Sequence, residues 1–135
     1  MMRTRKNNKG TILLVAVFAI ALLATLVAGI LQMNTEEIML MNNHIAFAEA
    51  LAVAEAGLND AFSELRVNSS WTAGFSGKSF ENGSYDVSVS GSLPNITVES
   101  TGTSRQGYQA RTQASLTLSG SSPYIIRVNT LRINE

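Results

Sequence analysis

Cysteine is absent, histidine occurs once, proline twice, and only 15% of the 135 residues carry a charge. Without cysteine there is no disulfide and no thiolate metal site, so a body outside the cytoplasm must hold together by packing alone. His44 is the sole histidine, and no Ser/His/Asp or Cys/His nucleophile can be assembled around it. It has no cysteine or Asp cluster beside it in sequence, so no metal site is expected. An excess of basic charge is also missing. The chain is formally neutral, and Arg3, Arg5, Lys6 and Lys9 hold four of its ten basic side chains, leaving the remainder about four units negative. Such a remainder does not displace counterions from phosphates, which excludes direct nucleic-acid binding. Gly77-Lys78-Ser79 has the ending of a phosphate loop, but its expected first glycine is Thr72 and no buried strand leads in; the stretch reads as a loop.

What the chain does have is one long apolar run. Thr11 to Leu31 is twenty-one residues without a charge, and as a helix it is about 31 Å long, against a hydrocarbon core of about 30 Å. A helix apolar on every face belongs in lipid or among similar helices. The basic segment before it stays in the cytoplasm, and Glu36 and Glu37 beyond it fit an outward-facing remainder. A secretory signal is a poorer reading, because the apolar run is too long and no A-x-A-like site follows.

The order of segments is then 1–10 as a leader, 11–31 as the membrane helix, 32–66 as an amphipathic helix and 67–135 as a small β body. Ile38, Met41, Ile45, Ala48, Leu51, Leu58, Phe62 and Leu65 recur at helical steps, broken once by Glu55, and predict one apolar stripe. Asn34 with Glu37 either caps a new helix or marks a bend; one helix from about residue 12 to residue 66 is equally consistent. Gly29 and Gly57 are where it would yield. Glu49, Glu55, Asp60 and Glu64 read as a solvated face, with contact to basic patches on neighbouring subunits as the second reading.

Residues 67–83 are polar and glycine-rich, a loop whose Trp71, Phe75 and Phe80 pack back on the body. After the Asn82-Gly83 turn, Tyr85, Val87 and Val89 alternate with polar residues, as do Ile96 and Val98. Past Arg105-Gln106-Gly107, the residues Tyr108, Ala110, Thr112, Ala114, Leu116 and Leu118 share one face. Tyr124 to Ile133 is a last strand, either buried or offered to a partner. Asn68-Ser69-Ser70, Asn82-Gly83-Ser84 and Asn95-Ile96-Thr97 match the N-glycosylation pattern but read as turn chemistry. The expected class is α+β: a long amino-terminal helix covering an antiparallel sheet of about four strands.

Three stretches carry a family likeness: Lys9-Gly10-Thr11-Ile12-Leu13-Leu14-Val15, residues Ala46 through Leu58, and Ile96 through Thr103. With this segment order the chain resembles type IV prepilins and pseudopilins, most of all the PilX-type minor pilins and secondarily the K-type pseudopilins of type II secretion. The resemblance implies a pilin-like fold, cleavage after Gly10 by a prepilin peptidase, and N-methylation of Thr11. It implies an inner-membrane precursor with its amino end in the cytoplasm. Its partners would be other pilins, through the amino-terminal helix, and the inner-membrane assembly platform. No cofactor and no enzymatic activity are implied. Two positions depart from the major-pilin pattern: Thr11 stands where phenylalanine follows the cut, and Val15 where glutamate is fifth. A buried carboxylate needs a partner charge, which in the family is the amino terminus of the adjacent subunit, so Val15 points to a tip or initiation role. The alternative is an uncleaved single-pass membrane protein whose helical ectodomain serves as an adaptor or sensor. A membrane-tethered hydrolase has no candidate catalytic group.

Overall fold

The structure is a computed structural model and describes residues 9–81, 83–122 and 124–134. Arg3, Arg5 and Lys6 of the expected leader, and Asn82 of the expected turn, lie outside the described residues. Helix α1 runs from Lys9 to Val67 without interruption. Asn34 therefore starts no new helix, and neither Gly29 nor Gly57 breaks it. The chain divides into two units, Met1–Met41 and Asn42–Glu135.

In the first unit the helix is exposed from Lys9 to Met41. Two of its threonine hydroxyls bond back to the helix: Thr25 Oγ1 donates to the Leu22 carbonyl at 2.8 Å, and Thr35 Oγ1 to the Leu31 carbonyl at 2.9 Å.

In the second unit the carboxyl half of α1 lies on a five-stranded antiparallel sheet of β1 (Phe75–Phe80), β2 (Gly83–Ser92), β3 (Asn95–Thr103), β4 (Gln109–Leu118) and β5 (Ile126–Asn134), in spatial order β1-β2-β3-β4-β5. Each strand pairs with its sequence neighbour, the arrangement short connections favour. The turn after β3 is closed by Ser104, whose amide donates to the Tyr108 carbonyl at 2.8 Å and whose hydroxyl accepts from the Tyr108 amide at 3.1 Å. Gly107 stands there at φ 87°, a conformation glycine adopts without steric cost. At the helix exit the Asn68 side chain accepts from the Ser70 amide at 3.0 Å, which is the turn chemistry expected of that stretch.

The alternation read from sequence is the burial pattern observed. Tyr85 and Val87 on β2, Ile96 and Val98 on β3, and Ala110, Thr112, Ala114, Leu116 and Leu118 on β4 are all buried, with Val89 partly buried beside them. Tyr108 precedes β4 and remains 39% exposed, its hydroxyl donating to Asn43 Oδ1 at 2.5 Å.

Two sequence expectations need correction. The sheet has five strands rather than about four, because Phe75–Phe80, read as loop, is β1. Its pairing with β2 is interrupted between Phe75 and Lys78, where Gly77 sits at φ 55° and donates its amide to Asp86 Oδ1 at 2.8 Å. A short, bulged edge strand of Ser, Gly and Lys shows no periodic signal. Trp71 and Phe75 do pack on the core as expected, with ring centroids 5.1 Å apart, but Phe80, at the end of the edge strand, is exposed rather than packed back.

The second correction concerns the helix face. Of the expected stripe, Leu58 and Leu65 are buried, Leu51 and Phe62 are half-buried, and Ile38, Met41, Ile45 and Ala48 are exposed. The face on the sheet is Ala46, Ala50, Val53, Ala54, Gly57, Leu58, Ala61 and Leu65. Its amino-terminal part is built of small residues, while Val53, Leu58 and Leu65 supply the larger apolar contacts. A Cβ at Gly102 on β3 would collide with the Ala50 carbonyl and the Ala54 amide, and would come within 2.9 Å of Ala54 Cα. Backbones this close leave room only for small side chains.

Candidate membrane segment and interaction surfaces

The residues singled out for processing sit at the start of α1. Lys9 and Gly10 are its first two residues, both exposed, and a Cβ at Gly10 would meet nothing within 4 Å. Thr11 and Val15, four residues apart, share one face, and Val15 is 59% exposed. Thr11 to Leu31 exposes every side chain, and its apolar stretch is long enough to cross a membrane. Within it the Thr25 hydroxyl is bonded to its own helix, as a polar group in hydrocarbon requires.

Exposure of large apolar side chains does not stop at Leu31. Met33, Ile38, Met39, Leu40, Met41 and Ile45 continue it past Glu36 and Glu37.

The acidic helix residues divide. Glu55 and Glu64 are exposed and Glu49 is half-buried, and among the described residues none of the three makes an ion pair. Asp60 does not belong with them. It accepts from Lys78 Nζ at 2.6 Å and from the Tyr85 hydroxyl, so one carboxylate ties α1 to β1 and β2. The Lys78 ammonium, and next the Tyr85 hydroxyl, hold the Asp60 carboxyl below its usual range. Asp60 in turn raises Lys78, and burial pushes the Tyr85 phenol up. The Lys78 ammonium also stands 4.4 Å from the Phe75 ring centroid, a cation–π contact. Sequence reasoning missed this clip. Lys78 drew attention only through the phosphate-loop likeness, and nothing local joins it to a residue eighteen positions earlier.

Under the helix, Ser100 on β3 and Thr112 on β4 stand opposite each other in register. Both are buried, and neither hydroxyl has a hydrogen-bond partner among the described residues. Beside them a groove of about 230 Å³ opens between α1 and β5, with Leu58, Phe62, Thr112 and Leu131 as floor and walls and Glu55 and Asn59 at its lip. Among the described residues no three His, Cys, Asp or Glu side chains gather as a metal ion requires.

Fold and site together define the class: an α+β chain in which one long amino-terminal helix packs on a five-stranded antiparallel sheet, its apolar first half compatible with a single-pass membrane anchor. Comparison with protein families, with curated proteins and with solved structures finds no match.

Proposed function

We propose that this chain is a minor pilin or pseudopilin, a structural subunit of a type IV pilus or a related type II secretion filament. The observation that carries the reading is apolar exposure along α1 that outruns a bilayer. From Ile12 to Leu31 it suits lipid, but Met33 and Ile38 through Met41 extend it beyond two glutamates. Lipid before assembly and neighbouring helices afterwards account for both stretches; a lipid anchor accounts for the first alone. Lys9-Gly10 placed directly against the apolar run supplies the processing point, with cleavage by a prepilin peptidase after Gly10 leaving Thr11 as the methylated amino terminus. The precursor sits in the inner membrane with its amino end inside, and the mature subunit joins other pilins through the helix on the assembly platform. Val15 in place of a carboxylate gives the subunit no pairing group for the amino terminus ahead of it, which suits the tip or initiation position.

The test is a Gly10→Trp chain expressed in the native host. The reading predicts full-length precursor in membranes and none in sheared surface filaments. Recovery of the Gly10→Trp chain from filaments in normal amount would contradict it.

A further inference from the structure

The sheet is wider than the helix that covers it. Five strands span about 19 Å between the outer two at roughly 4.8 Å spacing, whereas a helix with its side chains is about 10 Å across. On the β1 side the difference is filled by Trp71, Phe75 and the Asp60–Lys78–Tyr85 clip. On the β5 side nothing among the described residues fills it. Val128, Leu131 and Ile133 pair with Leu116, Ala114 and Thr112, which puts them on the helix-facing side of the sheet. They are nevertheless 47%, 55% and 49% exposed.

The two free edges are not equivalent. β1 is six residues long, with a bulge at Gly77 whose amide turns to the Asp86 side chain of β2. β5 is nine residues long, with one irregularity where Val128 and Thr130 pair with adjacent residues of β4 and leave Asn129 over. On its outer face it carries Arg127 and Arg132, which among the described residues pair with no carboxylate.

We propose that β5 is a docking edge for an extended, acidic segment of another protein, which adds to the sheet as a sixth strand. Backbone hydrogen bonds to the open edge hold it, and its apolar side chains at every second position close the groove lined by Leu58, Phe62 and Leu131. Its carboxylates, on the alternate positions, lie over Arg127 and Arg132. Charge selects this occupant over a second copy of β5. Antiparallel self-pairing with apolar residues matched along the whole strand sets Arg127 of each copy opposite Arg132 of the other, and like charges directly opposite destabilise a pair. The other edge of a second copy is no better, since β1 is six residues long and its ladder is broken between Phe75 and Lys78. The inference does not depend on the filament reading, because it concerns Asn42–Glu135 alone and holds for any membrane-anchored chain with this body.

The probe is a decapeptide alternating valine with glutamate, added to the full chain in detergent micelles, with hydrogen exchange of the backbone read strand by strand. The control peptide carries lysine for each glutamate. The acidic peptide slows exchange across Ile126–Asn134 and leaves β1 unchanged, while the lysine peptide does neither. The Arg127→Glu/Arg132→Glu double variant, altered only at exposed positions, loses about tenfold or more in affinity for the acidic peptide and prefers the lysine peptide. Equal protection by both peptides, no protection of β5 at millimolar acidic peptide, or β5 protection that grows with protein concentration alone would each overturn the proposal, the last in favour of a second copy.

Discussion

Gly57 on the helix and Tyr85 on β2 are fitted to each other: a Cβ at Gly57 would stand 2.8 Å from Tyr85 Cδ2, and the Tyr85 hydroxyl donates to Asp60, three residues further along the same helix. The ring occupies the space the glycine leaves, and the hydroxyl fixes the ring there. A helix glycine that sequence marks as a weak point is thus the place where helix and sheet approach closely.

Gly57→Ala tests that relationship. Helix propensity alone favours alanine by about 1 kcal/mol, so a stabilised protein would mean the contact is slack. The packing predicts the opposite sign, a net loss of about 1–3 kcal/mol from forced displacement of Tyr85 and Ser100. Denaturant unfolding in micelles measures it.

Ser100→Ala and Thr112→Val remove buried hydroxyls that have no partner among the described residues. An unsatisfied buried polar group costs about 1–3 kcal/mol, so each substitution is expected to leave stability unchanged or raise it by up to about 1 kcal/mol. Ser100→Ala should also relieve part of the Gly57→Ala loss, because the Ser100 hydroxyl lies where the new methyl would go. A double-mutant cycle reads this coupling, and additivity would contradict it.

The clip at Asp60 gives the body a pH dependence. The folded-state pKa of Asp60 lies below its ordinary 3.8, so its contribution is present above that value and is lost as pH falls through the folded pKa. Lys78 and Tyr85 are raised from 10.5 and 10.0, so theirs is present below pH 10 and is lost as pH rises through the folded values. Asp60→Asn should flatten the acid limb of a stability profile below about pH 4 while leaving the neutral plateau lower. An unchanged acid limb would show that the clip contributes nothing.

Val15→Glu restores the carboxylate that the tip reading requires to be missing. The substituted chain should spread along the filament shaft with piliation unchanged, while the native chain marks the ends, as seen by gold labelling. Native chain already along the shaft would end the tip assignment.

The legibility of this fold follows physical lines. β2, β3 and β4 were readable because each buries one face against the helix, and a two-residue period survives in Tyr85-Asp86-Val87 and in Ala110 through Leu118. β1 was not, since its bulge and its Gly77 erase the period. The helix face differs from the large-residue stripe in its amino-terminal part, where the nearness of Gly102 to Ala50 and Ala54 admits only small side chains; Leu58 and Leu65, further along, are buried as the stripe predicts. Ile38, Met41 and Ile45 are large and apolar, yet exposed. The Asp60 clip and the groove beside β5 join residues far apart in sequence, and no local pattern announces either.

The central claim is that the chain is a processed filament subunit, and the amino terminus reports on it most directly. Intact mass and amino-terminal sequencing of the protein from native membranes and from sheared surface filaments should find a chain beginning at N-methylated Thr11 in both. A chain that still begins at Met1 or Met2, in a host that processes its other prepilins, would contradict the account and leave a single-pass membrane protein.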